Sequence, residues 1–380
     1  MRLGLGLGFN RVSGSGDGTA FSASLMNSLP SIFTFTRPTA ATYFENGVLK
    51  TASTNTPRFE SDGFLMEGSR TNYALHSRNL SNTAWVKTNI TAGNIDGLDE
   101  GNNTASTLTA TSANATALQS VTLASGSRAF SAYVKRLVGS GDVDITLDGG
   151  TTWTTVTVTS DWTRVSVTAT VTDPEIGFRL VTSSDEIAID GCQLEDDFPT
   201  SIITTTGSQF TRASESCVAT DLSFMNRDGS DNWVSNAYLT RYKPSTGLHN
   251  GVIANFSANS FSQRIANDYD SRSGHPASER YFVIDSSNQG TLANNTFIAD
   301  GDIVKSVSSL ELNNRKYGAS STTNGAQTQQ EDTTATMPQI TQLNLGSVHN
   351  GIVSFFGHLQ QLKIWDRVLT DDEIAGLIGA

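Results

Sequence analysis

Apolar and polar residues alternate in short runs from residue 77 to about residue 200. Eight such runs, of which ALQSVTLA at 117–124 and TRVSVTATV at 163–171 are typical, are separated by Gly and Asp turn residues. A period of two is expected for a strand with one buried face, and no helical period interrupts the runs. Residues 77–205 are therefore predicted to form an antiparallel β-sandwich or jelly roll.

A second series of β-prone runs, longer and richer in aromatic residues, extends from residue 206 to QQLKIW at 360–365. A helix is predicted only after it, because Thr370 can cap a helix and Glu373 can complete a capping box. The sequence thus predicts an all-β protein with two antiparallel sandwiches in tandem, at 77–205 and 206–380, and a short C-terminal helix.

The N-terminal 76 residues are short of apolar residues for a core of their own. Residues 1–30 alternate Leu and Gly and then become rich in Gly and Ser, which predicts an extended attachment arm that can augment another protein's sheet. Turn signals, ENG at 45–47 and SDG at 61–63, separate short β-prone runs in residues 31–76. We interpret this second segment as a collar of short strands.

Composition changes the expected partners. Charged residues make up 16% of the chain, the formal net charge is −12 and the pI is near 4.8. Binding of a phosphate backbone needs clustered Lys and Arg, so no nucleic acid partner is expected. No run approaches the roughly 18 apolar residues of a membrane span. Cys192 and Cys217 leave two alternatives open, buried free thiols or one bridge.

No pattern of catalytic residues is found. Glycoside hydrolysis needs two carboxylates about 5 to 9.5 Å apart. The nearest candidates, Glu186 and Asp190, share a strand face but have Ala188 between them. The chain has neither the H-E-x-x-H pattern of zinc proteases nor the G-x-S-x-G pattern of serine hydrolases. We therefore expect no catalytic residues and no enzymatic activity.

Aromatic residues in turn-rich surroundings are the candidates for sugar binding. Sugars bind to aromatic faces that have amides and acids around them. Three residues meet this description and are predicted to be exposed: Trp153 after the LDGG turn, Trp233 in DGSDNW and Tyr269 in NDYDSRSGH. The alternative for each of the three residues is that its ring is buried in the core and binds no sugar.

Several motifs, in order along the chain, resemble one family. They are FTRPTAATYFENGVLKTASTNTPRFE at 35–60, GFLMEGSRTNYALHS at 63–77, AFSAYVKR at 129–136, DWTRVSVTATV at 161–171, AIDGCQLEDDFPTSI at 188–202 and FTRASE at 210–215. Together they closely resemble the modular fibre and spike proteins of tailed bacteriophages and gene transfer agents. The final GHLQQLKIWDRVLTDDEIAGL resembles the closing strand and helix of laminin-G-like concanavalin domains.

The resemblance implies a jelly roll like a carbohydrate-binding module at 77–205 and a concanavalin A/laminin-G-like sandwich at 206–380. It implies a structural virion protein, a head spike or a head or tail fibre, that is exposed on the particle surface and binds host cell-surface glycans. Residues 1–30 would then join capsid or tail proteins, and we expect a homotrimer, because several weak sites gain from multivalency. A virion polysaccharide depolymerase and a secreted bacterial adhesin are the alternatives.

Calcium is the one cofactor that the resemblance suggests. Carbohydrate-binding jelly rolls often hold a structural calcium ion with an Asp on the last strand and oxygen ligands from the first segment. In this sequence the corresponding residues are Asp190 and Asn79. An ordinary turn Asp before Gly191 is the alternative.

Overall fold

A computed structural model describes the protein over residues 19–226, 235–245, 250–271, 278–294, 298–299, 301–323, 328–332, 336–348 and 354–379. Antiparallel strands dominate this fold, as the sequence predicts. The chain begins with strands that precede the first sandwich: β1 (Thr19–Ser24), β2 (Phe33–Thr36), β3 (Ala41–Glu45), β4 (Val48–Ala52), β5 (Arg58–Glu60), β6 (Gly63–Met66) and β7 (Arg70–Asn72).

Two five-stranded antiparallel sheets form the first sandwich. Its strands are β8 (Val86–Thr88), β9 (Ile90–Ile95), β10 (Ala105–Ala110), β11 (Ala115–Ser120), β12 (Gly126–Val138), β13 (Val143–Thr146), β14 (Thr154–Val156), β15 (Thr163–Val171), β16 (Glu175–Leu180) and β17 (Glu186–Asp196). One sheet has the order β15-β12-β17-β10-β9 and the other β14-β13-β16-β11-β8. Alternate residues of each sheet, such as Phe130 and Phe178, meet in the core. The antiparallel sandwich predicted for this region is confirmed.

The rest of the chain forms most of the second sandwich. First, β18 (Phe210–Arg212) pairs with β7 in a separate two-stranded sheet. The sandwich elements are then β19 (Ser216–Ala219), β20 (Ser235–Pro244), β21 (Asn250–Ser257), β22 (Gln263–Asp270), β23 (Ser278–Asp285), β24 (Ser287–Asn294), β25 (Val304–Glu311), β26 (Asn314–Ser321), β27 (Thr328–Asp332), β28 (Gln342–Leu345), β29 (Gly357–Trp365) and α1 (Asp371–Gly379). One sheet has the order β27-β26-β25-β20-β29-β6-β5, with β1 also on β29, and the other β2-β19-β28-β21-β22-β23-β24.

Described strands of the predicted arm and collar pair with strands of the second sandwich. Strand β1 pairs with β29, β6 pairs with β29 and β2 pairs with β19. Phe33, Phe35 and Phe64 are buried in the same core as Tyr238 and Phe256. The first sandwich is therefore inserted between strands of the second. Residues 31–76 cannot bury their aromatic side chains by themselves, so these side chains pack into the second sandwich. Residues 1–18 of the predicted arm lie outside the described residues.

A buried ionic network joins the two sandwiches where the chain crosses between them. Glu215 Oε1 lies 2.8 Å from Arg37 Nη1 and 2.9 Å from Arg58 Nη2. Glu67 Oε2 lies 2.9 Å from Arg58 Nη2 and 2.8 Å from Arg212 Nη1. All five side chains are at most 3% exposed. Buried charges persist only when they are paired and hydrogen-bonded, so this network fixes the junction.

The C-terminal helix forms as predicted. Thr370 Oγ1 accepts a hydrogen bond from the Glu373 amide at 3.2 Å, and Glu373 Oε2 accepts one from the Thr370 amide at 2.8 Å. The helix buries Ile374 and Ile378 against the outer side of the second sandwich, close to Trp365. Among the described residues, no helix combines the length and the hydropathy needed to cross a membrane.

The two cysteines are free thiols in different places. Cys192 is buried in the core of the first sandwich and Cys217 in the core of the second. Burial raises the pKa of both thiols well above their ordinary value. Of the two alternatives left open by the sequence, the structure therefore has the buried thiols.

Candidate functional site

The three predicted aromatic residues have different environments. Trp153, in the connection between β13 and β14, is half-buried, and the Arg179 guanidinium lies 4.6 Å from its ring centroid. Tyr269 is only 4% exposed and belongs to the core of the second sandwich, so the prediction of an exposed ring is wrong there. It fails because alternate residues of β22 face that core. Trp233 lies outside the described residues.

The residues predicted to hold calcium are arranged differently. Asp190 is fully buried, and both of its carboxylate oxygens accept hydrogen bonds from Arg78, at 2.6 and 2.7 Å. Arg78 also binds both oxygens of Asp99, whose pKa it lowers well below the usual range. Asn79 is exposed, and no side-chain hydrogen bond joins it to this group among the described residues. In this structure the Arg78 guanidinium pairs with the carboxylate that was predicted to bind calcium, and the calcium site stays a prediction.

A hairpin from the predicted collar forms one wall of a cleft between the two sandwiches. Strands β3 and β4 are joined at Asn46 and Gly47, whose φ angles of 52° and 82° are those of a tight two-residue hairpin turn. The Leu49 amide of this hairpin donates a 2.9 Å hydrogen bond to the Leu98 carbonyl of the first sandwich. Phe44 is half-buried beneath it.

The first sandwich supplies the opposite wall. Ala132 and Val134 on β12 face its core, so Tyr133 between them faces outward, toward the hairpin. Tyr133 pairs across the strands with Arg164 on β15, whose guanidinium lies 5.7 Å from the Tyr133 ring centroid. The ring centroids of Tyr133 and Phe44 are 5.5 Å apart. Burial raises the pKa of Tyr133, which keeps its hydroxyl neutral.

The second sandwich supplies an acid and an imidazole. Glu60 Oε1 accepts a hydrogen bond from the Phe44 amide at 2.7 Å. Glu60 Oε2 lies 2.9 Å from His358 Nε2 on β29. Glu60 thus connects the hairpin to the second sandwich and fixes the position of Phe44.

Two cavities open along this hairpin, and we call them together the junction cleft. One has a volume of about 200 Å³ and lies between the hairpin, Tyr133, Arg164 and His358. The other has a volume of about 630 Å³, and both have Tyr43, Phe44 and Glu60 in their walls. The cleft therefore combines aromatic rings with charged and polar groups in a concave site, which is the usual composition of a small-molecule site.

Glu67, a carboxylate in the wall of the smaller cavity, is held as an ionised hydrogen-bond acceptor. Burial alone would raise the pKa of Glu67, but Arg212, Arg58 and hydrogen bonds from Ser201 outweigh it and hold the pKa well below its usual range. Both carboxylate oxygens of Glu60 already have partners, the Phe44 amide and His358. Within the described part of the chain, no three His, Cys, Asp or Glu side chains come together as a metal-binding group.

Sequence reasoning missed the junction cleft, although a signal for it was present. Tyr43 and Phe44 lie in TYFENG, Tyr133 in SAYVKR and Arg164 in DWTR, and all three stretches belong to the motifs that carry the family resemblance. The structure brings these separate motifs together at the junction. Motifs that are distant in sequence but lie around one cavity are a stronger sign of a site than single aromatic residues in turns.

Comparison with known proteins gives no family. No family model matches the chain, and no curated protein matches it.

Several solved structures match parts of the chain at low identity. The CBM40 of the Ruminococcus gnavus IT-sialidase, bound to α2,3-sialyllactose, is 13% identical over 39% of this chain and 83% of its own, with a TM-score of 0.31. A heptameric pentraxin from Limulus polyphemus is 16% identical over 40% and 73%, with a TM-score of 0.31. Domain 4 of a Geobacillus stearothermophilus arabinanase, in complex with arabinotriose, is 14% identical over 48% and 82%, with a TM-score of 0.32. Likeness at this level carries no argument about function.

Proposed function

We propose that the protein is a non-enzymatic structural component of a phage-like particle and that it binds host surface glycans in the junction cleft. The observation that carries the glycan proposal is the cleft, where the rings of Tyr43, Phe44 and Tyr133 are accompanied by Glu60 and Arg164. A sugar has an apolar ring face and a polar edge, so it matches a site of this composition.

The place on a particle is supported by the resemblance of the motifs to phage and gene-transfer-agent spikes and fibres. Those motifs include Arg37, Glu67 and Glu215 of the buried ionic network, and they include Tyr43, Phe44, Tyr133 and Arg164 of the cleft. The proposal retains exposure on the virion surface, attachment to capsid or tail proteins through residues 1–30, and a homotrimeric assembly.

The absence of enzymatic activity is supported by how the acids are used. Glu67 is held ionised and cannot donate a proton to a glycosidic oxygen at neutral pH. Asp190, one of the two sequence candidates, is bound on both oxygens by Arg78. A polysaccharide depolymerase would release new reducing ends from its substrate, which is the outcome that would replace binding by hydrolysis.

An array of bacterial surface polysaccharides tests the proposal with the purified full chain. We expect binding that Tyr43→Ala weakens at least about fivefold, which corresponds to the loss of about 1 kcal/mol of ring contact. Phe261→Ala is the matched control, because Phe261 is an exposed aromatic residue of the second sandwich that lies outside the cleft walls. Absence of binding to the array, or equal effects of the two substitutions, would contradict the proposal.

A further inference from the structure

We infer that the glycan bound in the junction cleft carries an anionic group, a carboxylate or a sulfate, and that Arg164 is the residue that receives it. This inference rests on the proposed function and specifies its ligand class. It follows from the state of the charges that line the cleft.

Arg164 has unused hydrogen-bonding capacity. Its Nη2 donates to Ser131 Oγ at 3.1 Å. Its Nε is buried, and neither Nε nor Nη1 has an acceptor among the described residues. Among the described residues, no carboxylate lies within ion-pair distance of the Arg164 guanidinium. Arg179, on the other sheet of the same sandwich, is instead paired with Asp144 at 2.7 Å.

The acids of the smaller cavity, the one that Arg164 lines, are already committed. Glu60 binds the Phe44 amide and His358, and Glu67 binds Arg58 and Arg212. The uncommitted charge in this smaller cavity is therefore positive, although the whole chain has a formal net charge of −12. Lys135, two residues after Tyr133 on β12, lies 4.7 Å from the Trp162 ring and adds a second positive charge on this face.

A partly buried guanidinium without an acid gains most from an anionic partner. Arginine donates paired hydrogen bonds to planar carboxylates and also binds sulfate-like oxygens, and such charge-assisted bonds are stronger than neutral ones. Tyr133 and Phe44 beside Arg164 are placed to contact the sugar ring while the anionic group faces the guanidinium. An acidic sugar thus satisfies both features of the site, whereas a neutral sugar satisfies only the rings.

The test compares ligands that differ only in the anionic group. Calorimetric titrations of the full chain use a uronic-acid polysaccharide and its carboxyl-reduced derivative, and a sulfated polysaccharide and its desulfated derivative. We expect the chain to prefer at least one anionic member over its neutral counterpart by about tenfold, which is about 1.4 kcal/mol. Arg164→Gln should abolish this preference, Arg164→Lys should restore part of it, and Arg179→Gln should leave it unchanged. Equal thermal unfolding of the variants shows that they are folded.

The outcomes separate this inference from the proposed function. A preference that depends on Arg164 supports the inference, and the pair that shows it identifies carboxylate or sulfate. Binding of neutral and anionic members with equal affinity overturns the inference and leaves glycan binding in place. A preference that Arg179→Gln reduces as much as Arg164→Gln also overturns it, because general charge attraction is then sufficient. Absence of binding to all four polysaccharides and to the array overturns both.

Discussion

Neutralising the buried Glu215 should destabilise the protein more than neutralising one member of an exposed ion pair. Glu215 is fully buried; its Oε1 accepts hydrogen bonds from Arg37 and Arg58, and its Oε2 accepts one from the Glu67 amide at 2.8 Å. Glu215→Gln keeps the shape but removes the charge, and its amide NH₂ then faces an N–H donor, either the guanidinium groups or the Glu67 amide. Arg37 then has no carboxylate partner in its buried site.

The expected loss follows from the cost of leaving a buried charge unpaired. Removing one partner of a buried pair costs about 3–5 kcal/mol. An unfolding entropy of about 2.1 cal/mol/K per residue gives roughly 0.8 kcal/mol/K for 380 residues that unfold together. The melting temperature should therefore fall by roughly 4–6 °C, and by more if a smaller unit unfolds.

Thermal unfolding followed by circular dichroism provides the assay, with Asp62→Asn as control. Asp62 pairs with Lys243 at 2.6 Å, but the two side chains are 37% and 30% exposed. Exposed pairs contribute about 0–1 kcal/mol, so the control should change the melting temperature by about 1 °C or less. Equal shifts for the two variants would refute the claim that the buried network holds the sandwiches together.

Two further predictions concern protons and metal ions. Because the folded-state pKa of Glu67 is depressed, its stabilisation is present above its unfolded pKa of about 4.3 and is lost as the pH falls. Urea midpoints should thus decline more steeply for the wild type than for Glu67→Gln between about pH 5 and pH 3, and parallel curves would contradict this. Since Arg78 donates hydrogen bonds to both carboxylate oxygens of Asp190, we expect calcium or EDTA to leave the melting temperature unchanged. A calcium-dependent increase that Asp190→Asn removes would contradict this expectation.

The strands and the helix could be predicted because their signals are local. Alternation on β12 places Phe130, Ala132 and Val134 on one face whatever the partner strand is. The capping box at Thr370 likewise depends on residues three apart. The insertion of one sandwich into the other could not be predicted in this way. It depends on pairings such as Phe21 with Ile364, which join opposite ends of the chain.

The site residues were harder to predict because their environments depend on distant residues. Tyr269 stands between Asp268 and Asp270, which suggested an exposed turn, but the strand turns the acids to one face and the tyrosine to the core. Asp190 forms an ion pair with Arg78, which is far away in the sequence. Nothing in the sequence around Arg78 indicated that it would contact Asp190. The junction cleft needs both sandwiches and the hairpin, so only the motif resemblance pointed to it.

The most direct test of the account is a structure of the full chain with a bound anionic oligosaccharide. The account predicts ligand density in the junction cleft, with a sugar ring against Tyr133 or Phe44 and its anionic group within hydrogen-bond distance of Arg164. Density over Trp153 and Arg179 on the opposite sheet, or on the second sandwich away from Glu60 and His358, would contradict it.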